Sequence, residues 1–534
     1  MKKLKFLTLI VLLFSNVSCQ KMLDTKPTDF ITPESFYKTP ANLQAALNAV
    51  YNSLTSAQVY GNNYLYMFNT NTDESYGRFV ENTPSYQYDA ADSKNEQFWR
   101  GLYSGIQRAN LLLENMDGVE MDSNKKDVIK GEALFLRAFM HFMLVSNYGD
   151  VPLILKSTSS VSDVNVVRSP MAEVYDRITK DMFVAEGLLK TQTATSLGFG
   201  GKVSVTAVQG ILARVYLYWA GFPLNNTAKY QDALLWAKKV VNPTQNAPEH
   251  ALNADYSDIF IKYARDQYDV KESIWELEFW GNRSGGIDLT NSYTGRFCGI
   301  RSTDTEKGAA VAYVKATRKL LDSYEIDPAN NTKSLDLRRD WNCANYYWLG
   351  EPAVNTSYGT SGWVRDAGKW RREYETLLPK NKDFTPQNFP MLRYADVLLM
   401  LAEAENRVNG PTALAQDAIN QVRRRAYGLL LPVPPKPGVN ANVPTDLAQD
   451  QFQQYIRDER SRELCYEALR RNDLIRWGNF VGDMKAFQAY ALTNGGTSSA
   501  ITIAAAKVSA RNIYFPIPIH DLMLNKALKQ NPGY

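Results

Sequence analysis

The stretch from 125 to 153, KKDVIKGEALFLRAFMHFMLVSNYGDVPL, reads as one long helix with its own stop signal. Ala133, Leu134, Ala138, Met140 and Leu144 recur at helical spacing. Tyr148-Gly149-Asp150-Val151-Pro152 then closes the segment, because glycine readily takes the left-handed turn at a helix end and proline cannot continue the hydrogen-bond ladder.

The same periodicity extends outward in both directions. Upstream, Leu102, Ile106, Ala109, Leu112 and Leu113 mark a helix over roughly 98–116. Before it, Thr32-Pro33-Glu34 supplies a cap, an N1 proline and an early carboxylate for a helix running through Leu43, Ala46, Leu47, Val50, Tyr51 and Leu54. Downstream, helices are expected at about 170–190, 204–220 and 229–241, near Ala309 to Tyr324, and at 390–408, 411–427 and 447–477. Helices of this length joined by short loops stack as antiparallel pairs. The fold class expected is mainly α: a tetratricopeptide-like helix-pair scaffold with long irregular loops rich in aromatic residues. The scaffold covers 30–245 and 390–534. The loop-rich, ligand-facing part covers about 56–97 and 250–390, all within one domain spanning 19–534.

Residues 1–18 form a leader. Lys2, Lys3 and Lys5 give a basic start, Leu4 to Phe14 is an almost unbroken apolar run, and Val17-Ser18-Cys19 follows. The run is shorter than the ~20 residues of a permanent span, and its basic, apolar and small-residue parts are those of an export signal. A cysteine at that point is the residue a lipoprotein signal peptidase needs, so Cys19 is the expected lipidation site. Asn16, where leucine is usual, departs from the pattern.

Without the leader, 57 Lys+Arg face 56 Asp+Glu. That near balance argues against a nucleic acid partner, which demands a basic stripe. Cys298, Cys343 and Cys465 have no paired spacing, and three buried thiols are expected rather than a disulfide framework. His141, His250 and His520 lack ligand spacing, and His141, within an apolar helix, is expected to be a core histidine. No metal or cofactor is expected. Aromatic residues make up 12% of the chain, including 31 Tyr, which exceeds what a core needs and points to a surface that uses rings.

Several strings resemble the SusD/RagB family. They include Trp99-Arg100-Gly101-Leu102-Tyr103, Glu132-Ala133 through Arg137-Ala138-Phe139, and Tyr148-Gly149-Asp150-Val151-Pro152-Leu153. Late in the chain come Met391-Leu392-Arg393-Tyr394-Ala395-Asp396-Val397-Leu398-Leu399-Met400, Glu459-Arg460 with Arg462-Glu463-Leu464, and Phe515-Pro516-Ile517-Pro518. The resemblance implies a lipoprotein anchored in the outer membrane through its N-terminal lipid. Its implied partner is a SusC-like TonB-dependent outer-membrane transporter, and its implied ligand an oligosaccharide or a peptide. No catalysis belongs to that role.

The family strings are scaffold. Glu459, Glu463 and Glu467 fall at i, i+4 and i+8 on one helical stripe. Carboxylates pointing the same way cannot flank a sugar as a glycosidase pair must; an ion-pair network between helices is expected instead. The loops are the candidate binding surface. A flat ring covers the apolar face of a pyranose while Asn, Asp, Arg and Gln take its hydroxyls. The candidates are Asp73, Arg78, Tyr86 and Tyr88 in the first loop, then Trp280 and Tyr293, then Trp341, Tyr347 and Trp348. Trp99, Trp219, Trp236, Trp275 and Trp477 are expected in the core. From a different class, the rival reading is a secreted helical glycosidase or lyase, for which no motif speaks.

Overall fold

The computed structural model describes residues 32–158, 160, 164–242, 248–281 and 292–534; Cys19 and the leader lie outside them. The principal helices of the first half are α1 (Pro40–Thr55), α2 (Ser93–Asn115), α3 (Ser123–Tyr148), α4 (Met171–Leu188), α5 (Val205–Ala220) and α6 (Lys229–Val241). Those of the second half are α7 (Tyr394–Asn409), α8 (Ala413–Ala426), α9 (Gln449–Leu464), α10 (Arg470–Arg476), α11 (Phe480–Thr493) and α12 (Ser499–Lys507). From α1 to α8 each helix packs on the next, so α6 and α7 adjoin although the loop-rich segment separates them in sequence. The fold is mainly α. Among the described residues no helix is long and apolar enough to cross a membrane.

The helix ends follow local chemistry. Asp92, Asp122 and Ser204 cap α2, α3 and α5 by accepting from the backbone N–H of Asn95, Lys125 and Ala207. Gly149, at φ 75°, ends α3 where the sequence places the stop. Three expectations are corrected. The first helix is two, Pro33–Phe36 and α1, because Thr39 caps anew and Pro40 restarts the ladder. Residues 309–324 hold a short strand and a five-residue helix, Arg318–Asp322, rather than one long helix. The helix expected over 447–477 breaks into α9 and α10 at Tyr466 and Ala468, both at positive φ. Asn69 pins that turn: its side-chain amide donates to the Tyr466 carbonyl at 2.7 Å and accepts from the Ala468 N–H at 2.9 Å.

The ion-pair network expected of the three glutamates is present, with Glu459 and Glu463 on α9 and Glu467 in the turn beyond its end, not on the same helical stripe. Arg393 donates to Glu463 (2.9 Å), Glu467 (2.7 Å) and Glu272 (2.8 Å). Arg425 joins Glu272 and Glu463, and Arg338 joins Glu459 and Glu463, all fully buried. A second buried chain runs Arg214–Asp396–Arg460–Asp473–Arg476–Glu403 across α5, α7, α9 and α10. Such pairs tolerate burial because every charge has a fork partner; removing one partner strands the other. Arg137 likewise pairs with Asp181, while Glu132 accepts from Tyr51.

His141 is buried, its Nδ1 against the Arg137 carbonyl and its Nε2 accepting from the Ile154 N–H; burial lowers its pKa to about 3. Cys298, Cys343 and Cys465 are unpaired, buried thiols. Trp99, Trp236 and Trp275 are buried, and Trp219 and Trp477 pack partly buried against the same core.

Eight strands matter for the loop-rich part: β1 (Ser75–Gly77), β2 (Ser273–Leu277), β3 (Val314–Ala316), β4 (Cys343–Ala344), β5 (Tyr346–Leu349), β6 (Val354–Ser357), β7 (Asp366–Ala367) and β8 (Phe389–Arg393). A small sheet has the order β1-β3-β7-β4, and two pairs, β2–β8 and β5–β6, stand beside it.

Candidate functional site

The small sheet lays one row of side chains across its strands. Tyr76 lies opposite Lys315, Lys315 opposite Asp366, and Asp366 opposite Ala344. Directly opposed residues share a face, so this row makes a floor. The Lys315 ammonium contacts the Asp366 carboxylate, which also accepts from the Tyr358 hydroxyl (3.1 and 3.2 Å) and from the backbone N–H of Arg301 (2.9 Å). Burial raises the Asp366 carboxyl and lowers the Lys315 ammonium, each against the pull of the other. The Tyr76 hydroxyl donates to the Trp363 carbonyl.

Above this floor opens a cleft of about 300 Å³. Arg78 stands two residues beyond Tyr76, on the same face by strand alternation, and Arg301 and Tyr358 complete that rim. Trp363, Val364 and the first turn of α12, with Ser498, Ala500 and Ile501, form the remaining wall. Arg78 is fixed by its backbone N–H to the Tyr313 carbonyl (2.7 Å) and by its guanidinium to the Val311 carbonyl (3.1 Å).

The β5–β6 hairpin leans on this rim and turns at Gly350, φ 85°. Alternation sends Tyr347 to one face and Tyr346 and Trp348 to the other. Tyr347 packs against Tyr358, with centroids 4.8 Å apart, and the Arg301 guanidinium lies 4.1 Å from its centroid. On the opposite face Glu373 accepts from the Tyr346 hydroxyl (2.8 Å) and the Trp348 indole (2.7 Å), while the Lys307 ammonium sits 4.7 Å from the Trp348 ring.

The structure therefore gathers some of the expected residues and scatters others. Arg78 lines the cleft and Tyr347 supports it. Trp348 is half-buried on the far side of the hairpin. Trp341 is clamped between the Arg371 guanidinium, 3.8 Å from its ring, and Tyr374. Tyr293 stacks on Phe297 at 5.5 Å in a ladder that continues through Tyr66 and Tyr313 to the exposed Phe79 beside Arg78. Trp280, 43% exposed, borders a separate cleft of about 320 Å³ with Tyr51, Phe199, Lys202 and Glu278.

Three expectations fail on burial. Tyr86 and Tyr88 are each 1% exposed. Tyr86 donates to the Asn71 carbonyl at 2.7 Å and packs on Phe480; Tyr88 lies between Phe515 and Tyr534. These rings fill the core under the first loop and have no face to offer a ligand. Asp73 is also buried, held by Arg470 (2.7 Å) and Lys319 (2.6 Å). Burial raises its carboxyl, and the two cations outweigh that and hold it well below the usual carboxylate range.

Lys315 and Asp366 escape sequence reasoning because strands of two or three residues carry no alternation long enough to read, and Arg301 because it stands in irregular chain outside any strand. Tyr358 and Trp363 stand out only as rings among other loop rings. Among the described residues no group of three His, Cys, Asp or Glu side chains is placed to hold a metal ion. The cleft offers cations, hydrogen-bond donors and ring surface, which is equipment for binding.

The chain matches the family model described as SusD family over residues 271–534, and a second, described as starch-binding associating with outer membrane, over residues 21–217. A SusD-like protein of Formosa agariphila is 27% identical over 556 residues, covering 100% of both chains. The starch-binding protein SusD of Bacteroides thetaiotaomicron is 23% identical, covering 88% of this chain and 86% of its own. A crystal structure of a SusD homolog from Bacteroides thetaiotaomicron superposes with a TM-score of 0.83 at 28% identity, covering 94% of this chain and 98% of that one. The chain belongs to the SusD family.

Proposed function

We propose that this SusD-family protein is a glycan-binding lipoprotein of the outer membrane. It captures an oligosaccharide or polysaccharide at the cleft above Tyr76, Lys315 and Asp366, and passes it, without catalysis, to a SusC-like TonB-dependent transporter. Membership in a family whose matching model is described as starch-binding and outer-membrane-associated supports the reading. So does the starch-binding name of its relative in Bacteroides thetaiotaomicron.

The observation that carries it is the meeting of Arg78 and Arg301 with the Tyr358–Tyr347 ring pair at an open cleft. A sugar ring has an apolar C–H face and a rim of hydroxyls. Tyr358, Trp363, Val364 and Ile501 give apolar and ring surface for the first, and the two guanidinium forks give donors for the second. Ligand sites of small molecules run to ~300–1,000 Å³, so this cleft suits a short stretch of a sugar chain whose remainder stays outside. Burial of that much surface with a few hydrogen bonds gives affinities between about 1 μM and 1 mM, weak enough for release to a transporter. Cys19, acylated, tethers the protein to the membrane.

The test is native affinity electrophoresis of the purified protein through gels containing different polysaccharides, followed by calorimetry with oligomers of any that retard it. Retardation by a polysaccharide, lost in Tyr358→Ala, is the expected result. Binding of peptides with no retardation by any polysaccharide overturns the glycan reading. Co-purification of a barrel transporter with the acylated protein tests the partner.

A further inference from the structure

We infer that the cleft selects acidic saccharides, those carrying a carboxylate or a sulfate ester on the sugar ring. This rests on the glycan-binding reading above and names the substrate class of that same site.

The two large buried ion-pair networks neutralise the arginines they contain. Arg338, Arg393, Arg425, Arg460 and Arg476 each hold carboxylates at 2.5–3.1 Å. The cleft differs from them in opening to a ligand. Among the described residues neither Arg78 nor Arg301 has a carboxylate partner. Arg78 donates to a carbonyl, that of Val311, and lies over the Phe79 ring; Arg301 lies over the Tyr347 ring. These contacts hold the guanidiniums in place and leave their charge uncompensated.

The carboxylate at the floor does not supply the missing charge. Asp366 is fully buried and already committed to Lys315, to the Tyr358 hydroxyl and to the Arg301 backbone N–H. The Lys315–Asp366 pair is neutral as a unit, so the rim retains two positive charges. Their field reaches the floor: after burial, Arg78 and Arg301 are among the influences that lower the Lys315 ammonium. The first turn of α12, whose leading N–H groups lack partners inside the helix, faces the same cleft and adds to the field with the same sign.

A neutral sugar would leave two like charges uncompensated on the cleft rim. A carboxylate or sulfate relieves that repulsion and takes charge-assisted hydrogen bonds from planar forks matched to its oxygens. The Tyr358 ring then covers the sugar body, and the charged substituent sets its orientation.

Calorimetry with the unaltered protein compares each acidic polymer with its neutral counterpart: polygalacturonate against its fully methyl-esterified form, and a sulfated galactan against the same galactan desulfated. The proposal expects binding of an acidic form, affinity falling as NaCl rises, and about tenfold or more weakening with its neutral counterpart. Binding of polygalacturonate alone identifies the carboxylate as the ligand group, and binding of the sulfated galactan alone identifies the sulfate; either supports the proposal. Arg78→Gln and Arg301→Gln, checked for an unchanged melting temperature, each lose about tenfold on the acidic polymer while Arg301→Lys loses less. Equal binding of neutral and acidic forms, unmoved by Arg78→Gln and Arg301→Gln, overturns the acidic preference and leaves glycan capture standing. Failure to bind any polysaccharide overturns both.

Discussion

The guanidinium of Arg301 rests 4.1 Å from the centre of the Tyr347 ring, and that ring packs in turn on Tyr358 at the cleft rim. A ring holds a cation without compensating its charge, whereas a carboxylate partner compensates it. Tyr347 is therefore a positioning residue: it aims Arg301 without neutralising it.

Tyr347→Ala frees that guanidinium and removes the support under Tyr358. A cation–π contact contributes about 0.5–2 kcal/mol depending on burial, so ligand affinity falls about 3- to 30-fold. Tyr347→Phe, which keeps the ring, stays within about twofold of the parent. Calorimetric titration separates the two.

Tyr86→Phe removes the hydroxyl that donates to the Asn71 carbonyl and costs about 1 kcal/mol of stability. Tyr86→Ala leaves a cavity in the core and costs about 3–5 kcal/mol. Both appear in urea denaturation. Neither changes ligand affinity in the fraction that remains folded, because the ring does not reach the cleft.

Arg393→Leu leaves Glu272, Glu463 and Glu467 buried together without the cation that joins them. Stranding buried charge in this way costs about 3–5 kcal/mol, read as a lower urea midpoint. Replacing only a rim arginine, Arg78→Gln, leaves that midpoint unchanged.

Stability falls on both sides of a mildly acidic optimum. Burial raises Asp396, Glu403 and Glu463, but the facing arginines outweigh it and hold each carboxyl at about 2. With unfolded values near 4, their contribution is complete above that range and is lost as pH falls toward 2. Glu276 behaves oppositely: burial pushes it up to about 8, so its contribution is complete below its unfolded value and is lost as pH rises through 8. Glu74, which burial pushes up to about 7, adds to the same limb, so Glu276→Gln makes the alkaline limb shallower and leaves the acid limb in place, which thermal melts across pH 2–9 detect.

The helices were legible because each buries a face repeated every 3.6 residues, and α3 carried its stop in Tyr148-Gly149. The glutamate network was legible because identical charges at i and i+4 demand external partners. The cleft was not. Its floor joins Tyr76, Lys315 and Asp366 from distant parts of the chain through strands of two or three residues, too short to show a period. Burial of loop rings was equally hidden: Tyr86 and Tyr88 sit among polar turn residues, and partners far along the chain seal them in, Phe480 over Tyr86 and Phe515 and Tyr534 over Tyr88.

A crystal structure of the protein with an acidic oligosaccharide bound tests the whole account most directly. Sugar density seated against Tyr358, with a carboxylate or sulfate within hydrogen-bonding distance of Arg78 or Arg301, is the result predicted. Sugar bound beside Trp280 with the Arg78–Arg301 cleft empty would contradict it.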